Sequence, residues 1–221
     1  MTVWPGILLG TLYIVALLGL AEGLRKWRGY GSDFTRKIVH IGVGMMNWWI
    51  VYLFDTPWPF IALCAVFVLI NFLDWRYGLF AAMTSSDRSN LGTVYFPLAS
   101  AVVAYFLWSF PPLFVAAMMS LTWGDGLAAV IGRRYGRRFY RSGAVTKSLE
   151  GSAAFFVAGF LATWLALWIL PGEPDISPLA ALAPAGLAVA LATILEAVTR
   201  WGLDNLTVTA AAAAVLMFWP F

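Results

Sequence analysis

The sequence predicts an all-α, polytopic integral membrane bundle of about eight transmembrane helices. Three observations carry that reading. Of the 221 residues, 62% are hydrophobic and 11% charged, with a mean hydropathy of +0.81, whereas a soluble domain carries roughly 25% charged residues. Eight apolar stretches approach the ~20 residues that a spanning helix needs. All fourteen Lys and Arg residues fall in alternate loops between those stretches. Backbone groups in lipid have no water to bond, so helices that satisfy them internally are the default.

The predicted spans run over 3–21, 38–54, 58–73, 94–110, 113–131, 150–170, 178–198 and 205–220. No basic residue precedes the first span, so a cleavable signal peptide is not expected. The loop after it holds Arg25, Lys26, Arg28, Arg36 and Lys37. Pro57 and Pro59 crowd the start of the third span, and Arg76 and Arg88 follow it. Pro111 and Pro112 separate the fourth and fifth. Arg133, Arg134, Arg137, Arg138, Arg141 and Lys147 follow the fifth. Glu173 and Asp175 divide the sixth from the seventh, and Arg200 precedes the eighth.

Cytoplasmic loops carry the Lys/Arg excess. The alternation therefore places both termini outside a cell (inner) membrane and every basic loop at its cytoplasmic face. Trp4, Trp27, Trp58, Trp75, Trp108, Trp201 and Trp219 fall at or near span ends, where an amphipathic ring suits the headgroup level. The Ala run 210–214 reads as helix-packing surface. The spans leave no stretch for a separate soluble domain, so residues 1–221 form one unit. Cys64 lies in an apolar span and cannot pair within the chain. The pI of 9.2 reflects loop topology and does not point to nucleic acid.

Ionisable groups at membrane depth are costly and suggest function. Asp125, Glu150, Glu196 and Asp204 sit near the cytoplasmic ends of spans five to eight, so four acids from four helices are placed to converge. Asp125, flanked by Gly124 and Gly126, is expected at a helix end. Mg²⁺ binds through one or two carboxylates plus substrate phosphates, which makes Asp125, Glu150 and Asp204 the expected metal ligands. The segment 132–151 combines glycines, cations and a helix start, and backbone N–H groups in such turns bind phosphate. Lys147, one turn before Glu150, is the preferred phosphate ligand. Arg133 and Arg137 are further candidates, because a guanidinium clamps phosphate bidentately; the alternative for the loop arginines is topology or anionic headgroups. Arg36, Lys37 and His40 can share one helical face, with His40 as general base, phosphate ligand or helix residue. Glu196, Arg200 and Asp204 fall at i, i+4 spacing, and Asn205 follows directly.

At these residues the chain resembles the CTP-dependent lipid-alcohol kinases: the phytol, farnesol and dolichol kinases together with the CTP-dependent diacylglycerol kinases. The resemblance rests on RKIVHIGVG (36–44), GTVYFPLA (92–99), GDGLAAVIGRRYG (124–136), KSLEGSAAFF (147–156), Glu196 and DNLTV (204–208). It implies that Asp125, Gly132, Gly136, Lys147, Glu150 and Gly151 contribute to binding CTP with a divalent metal. It implies functional weight for Arg36, Lys37, His40, Glu196, Asp204 and Asn205. Thr209 departs from the family pattern, which has a proline after DNLTV.

The activity so implied is γ-phosphoryl transfer from CTP to a membrane isoprenoid alcohol such as phytol, geranylgeraniol, farnesol or a polyprenol. The alcohol would enter sideways from the bilayer, and His40, Asp204 or Glu196 would accept its proton. Two alternatives differ in class. CDP-lipid synthases look similar around the Asp125 and Lys147 segments but act on a lipid phosphate and release pyrophosphate. A transporter would place its site near the midplane and show inverted repeats, and none is visible. The choice of alcohol and the oligomeric state are not written in the sequence.

Overall fold

The computed structural model describes residues 3–80, 89–142 and 145–221. Arg88, assigned to a basic loop, lies outside them. Nine helices and one hairpin follow in order among the described residues. They are α1 (Val3–Arg28), α2 (Ser32–Met45), α3 (Asn47–Ile50), α4 (Trp58–Tyr77), α5 (Gly92–Leu107), α6 (Pro111–Tyr135), β1 (Phe139–Ser142), β2 (Val145–Ser148), α7 (Leu149–Ile169), α8 (Leu182–Val198) and α9 (Asp204–Phe218).

Four of these, α1, α4, α6 and α7, are long and apolar enough to cross a membrane. The other predicted spans are corrected in form. The span 38–54 is two helices, because α2 starts at Ser32 and breaks at Met46 before α3. The 16-residue α5, 17-residue α8 and 15-residue α9 are each about 22–26 Å long, short of the ~30 Å hydrocarbon core. The outer surface is that of a protein in lipid, with Leu8, Leu12, Val15, Leu69, Phe106, Leu161, Ile194 and Met217 all exposed.

Helix α6 is the axis. Every side chain from Pro112 to Thr122 is buried, the pattern of a helix that is apolar all round. Its few polar groups are satisfied locally. Ser120 Oγ donates to the Ala117 carbonyl at 2.8 Å and Thr122 Oγ1 to Met118 at 2.8 Å, as hydroxyls in helices do. Helix α7 packs along α6 through small residues. A Cβ on Gly151 would stand 3.1 Å from the Ala128 carbonyl oxygen and 3.2 Å from Gly132 Cα. Backbone there meets backbone, and a side chain at Gly151 would have to push its neighbours apart.

Helix α5 carries Pro97 in its interior. Proline has no N–H, so the carbonyl four residues earlier, that of Thr93, loses its helical donor. Asn71 on α4 supplies a replacement, with Nδ2 donating to the Thr93 oxygen at 2.8 Å. One polar residue in an apolar span thereby ties α4 to α5. Asn71→Leu is expected to lower stability by about 1–3 kcal/mol, the cost of an unmet buried acceptor. Adding Pro97→Ala restores the helical donor, and thermal unfolding in detergent should show most of the loss recovered. A double variant no better than the single one would remove this account of Asn71.

Candidate active site

The polar end of the bundle is built where α2 crosses α6. Gly126 makes the approach possible, since a Cβ there would lie 2.6 Å from Ile41 Cγ1. The helices close until Lys37 Nζ meets Asp125 Oδ2 at 2.5 Å. His40, one turn further along α2, directs Nε2 toward the same Oδ2 at 3.5 Å and the Leu121 carbonyl at 3.3 Å. Two acceptors facing Nε2 hold its proton there and leave the Nδ1 lone pair as the basic position. Phe96 of α5 meets the imidazole edge-on at 4.7 Å. Asp33 in the first turn of α2 bridges Arg36 at 3.4 Å and Arg133 of α6 at 3.0 Å, which fixes the register of the two helices.

A second buried pair joins the hairpin to α8. Lys147 Nζ lies 2.7 Å from Glu196 Oε1 and also donates to the Glu196 backbone carbonyl. Asp204 opens α9 within electrostatic reach of Asp125, Lys37 and Lys147. Among the described residues Asp204 has no ion pair of its own, unlike Asp125 and Glu196. The turn before it is set by Trp201 and Gly202, with φ of 59° and 82°, where glycine is at ease and tryptophan is not. The Trp201 carbonyl accepts the Leu91 N–H at 3.1 Å, docking this turn on the start of α5.

These charges face a cavity of about 120 Å³ between α2 and the α4–α5 pair. Arg36, Lys37, His40, Asp125, Asp204 and Asn205 line one end. Val43, Met46, Phe60, Leu63 and Phe67 line the rest. Two buried atoms at the polar end lack a partner among the described residues: Arg36 Nε and Asn205 Oδ1. Unsatisfied buried polar atoms are rare, and both of these residues line the same cavity. The Asn205 amide is oriented by Nδ2 donating to the Gly202 carbonyl at 3.1 Å and to Asp204 Oδ1 at 3.2 Å.

The sequence expectations divide here. Arg36, Lys37, His40, Asp125, Asp204 and Asn205 come together on one cavity, and Glu196 stands nearby on Lys147. Asp125 is not at a helix end, because α6 continues ten residues beyond it to Tyr135. Gly132 is therefore inside a helix and not in a loop. Gly132, Gly136 and Gly151 crowd Ser148 and one another, so they close the α6–hairpin–α7 junction. Glu150 stands apart from Asp125 and Asp204. Its carboxylate accepts the Arg137 N–H at 3.0 Å and the Arg138 N–H at 3.2 Å, which anchors the hairpin. Arg133 and Arg137 are exposed. Glu196, Arg200 and Asp204 do not share one helix face, because α8 ends at Val198 and α9 starts at Asp204. Thr209 leaves α9 unbroken and adds an Oγ1 bond to the Asn205 carbonyl at 2.7 Å. Sequence reasoning missed Asn71 and Asp33. A lone amide in the apolar span before a proline-bearing one was the available signal for the first.

The chain is 31% identical to a phytol kinase of Synechocystis sp. over 218 residues, covering 96% of this chain and 90% of that protein. The chain belongs to the phytol and farnesol kinase family. A probable phytol kinase of Triticum aestivum, chloroplastic, is 27% identical over 94% of this chain and 74% of its own length. A chloroplastic farnesol kinase of Arabidopsis thaliana is 27% identical over 95% and 74%. No family model and no solved structure matches the chain.

The Lys147–Glu196 pair has a measurable signature. Its side chains are 15% and 10% exposed, so removing one partner strands a buried charge. Lys147→Met is expected to cost about 3–5 kcal/mol of stability. Lys147→Met combined with Glu196→Gln should recover a large part of it, which a double-variant cycle by chemical unfolding would show. Strict additivity would mean that the two groups do not interact.

Proposed function

We propose that this chain is an isoprenoid-alcohol kinase that moves the γ-phosphoryl group of CTP to the hydroxyl of a membrane alcohol. The single observation that carries the reading is the two-sided cavity. One end gathers cations, acids and an imidazole, and the other is hydrocarbon, which suits a substrate with one reactive polar end. The family relationship supports the kinase class, since its members are phytol and farnesol kinases. The reactive end is read as facing the cytoplasm, where the basic loops fall.

The residues fit a magnesium-bound triphosphate. Among the described residues no three His, Cys, Asp or Glu gather as a metal cage, but Mg²⁺ with nucleotide needs only one or two carboxylates. Of the three acids expected at the metal, Asp125 and Asp204 line the cavity. Bound there, the metal would supply charge neutralisation on the phosphates. Asp125 and Asp204 would hold the metal, and the Lys37 ammonium beside Asp125 would face the transferred group. Lys147, paired with Glu196 beside the cavity, is the further cation assigned to the phosphates. The alcohol lies with its oxygen in line with the terminal phosphate, and its proton passes to His40 Nδ1 as the new P–O bond forms. CDP leaves with the electron pair of the broken bond. Such transfer depends on positioning and electrostatics more than on covalent chemistry.

With γ-labelled CTP and an isoprenoid alcohol, the label is expected in a lipid monophosphate. Asp125→Asn should cut turnover by about 100-fold or more while circular dichroism shows an intact helical fold. Label in pyrophosphate that appears only with a lipid phosphate as acceptor would replace the kinase by a CDP-lipid synthase. Undiminished turnover in Asp125→Asn would move the metal to other residues.

A further inference from the structure

The cavity has a floor and an open flank, and together they say how a long alcohol is held. Its walls come from four helices: Val39 and Val43 on α2, with Met46 just past its end; Leu63, Phe67 and Ile70 on α4; Ile14 and Leu18 on α1; and Phe96 and Pro97 on α5. From Arg36 to Met46 the cavity follows α2 for ten residues, about 15 Å. At its end α2 breaks, and α1 closes over the gap. A Cβ on Gly10 would lie 3.2 Å from Leu63 Cδ2, 3.3 Å from Ile50 Cδ1 and 3.9 Å from Met46 Sδ. At this floor Phe60 is locked against Trp108 and Phe114, with ring centroids at 5.3 and 5.8 Å. An aromatic cluster of this kind does not yield to a tail pushing downward.

Size sets the second constraint. Within its length of about 15 Å the cavity holds about 120 Å³ of space. The sixteen-carbon main chain of geranylgeraniol or phytol outruns that length, whereas the eight-carbon chain of geraniol does not. The exit lies to the side. At floor level Ile14 and Leu63 are buried, but one to two turns nearer the polar end Leu18, Phe67 and Ile70 are only half-buried. Helix α1 touches α4 lightly, and beyond the two lies the lipid-facing surface of Val15, Val66 and Leu69. A tail that leaves between α1 and α4 stays in hydrocarbon throughout and loses no burial.

We propose that the cavity encloses only the hydroxyl end of the alcohol, and that the tail leaves sideways through the gap bounded by Leu18 on α1 and by Phe67 and Ile70 on α4. This rests on the kinase reading above and adds the residues that govern which alcohols react. Head structure is read inside the cavity, and tail length is left to the bilayer. Long and short alcohols then share one site, and the gap is what a long one needs and a short one does not.

The test compares geraniol, farnesol, geranylgeraniol and phytol as acceptors for the full-length protein in lipid nanodiscs. Leu18→Trp fills the gap from α1, and Ile70→Trp fills it from α4. Each should lower kcat/KM for geranylgeraniol and phytol by at least about tenfold, a loss in the range of a few displaced methylenes. Each should lower geraniol far less, so that the ratio of kcat/KM for geraniol to that for phytol rises at least about fivefold, and circular dichroism in the nanodisc should report an intact helical fold. Leu18→Ala should leave all four alcohols in their original order. An equal fall for every alcohol in both tryptophan variants, or no change for any, would overturn the lateral exit while the kinase reading stood. No phosphorylation of any alcohol by the unsubstituted protein would overturn both.

Discussion

The contact between Lys37 and Asp125 is the constraint on which the polar end depends. A carboxylate in the middle of a buried helix is costly unless a cation meets it. Asp125 lies in α6, which is buried on every side just before it, so the cation has to come from another helix. The chain supplies Lys37 from α2, and Gly126 opposite Ile41 lets the two helices come close enough. His40 and Arg36 are then carried to the same place by helical periodicity alone. The pair thereby sets the spacing of α2 and α6 and gathers Arg36, Lys37, His40 and Asp125 at one end of the cavity. This explains why α2 is attached to α6 at one side and leaves a cavity on the other, toward α4 and α5.

A buried ion pair is a poor source of net stability, because desolvation offsets much of the attraction. Its retention here has a functional reading. Under the proposed function each acid would hold its lysine in place, and each lysine would offset the cost of burying its acid, until a ligand with its own charges binds. Arg36 Nε and Asn205 Oδ1, buried and unpartnered among the described residues, belong to the same state. A region prepared to exchange partners keeps polar atoms that a purely structural core would have satisfied.

Much of this was legible in the sequence, and the failures have a common cause. Apolar composition and the one-sided basic loops indicate a helical membrane protein, and the short polar motifs name Asp125, Lys37, His40, Asp204 and Asn205 correctly as neighbours. Local punctuation carries less than the motifs do. Gly132, Gly136 and Gly151 read as a phosphate-binding loop because glycine marks turns. In the structure they serve close packing, which uses the same absence of a side chain for another purpose. Glu150 reads as a metal ligand because it is acidic at a helix start, and in the structure its carboxylate receives the Arg137 and Arg138 N–H groups. The i, i+4 stripe of Glu196, Arg200 and Asp204 failed because the turn at Trp201 and Gly202 interrupts the helix. The cavity itself was not legible, because it arises from faces of four helices distant in sequence, and only the packing of Gly10 and the Asn71–Thr93 bond fix where it begins and ends.

The central claim is that the space between α2 and the α4–α5 pair receives the alcohol. Photolabelling measures this directly. An isoprenoid alcohol bearing a diazirine on its first isoprene unit, irradiated with the protein in nanodiscs and mapped by peptide mass analysis, should label residues 36–47 and 60–71. Excess unlabelled phytol should compete that labelling away. Competable label confined to α7, α8 or the outer face of α9, with none on α2 or α4, would contradict the account and place the alcohol elsewhere.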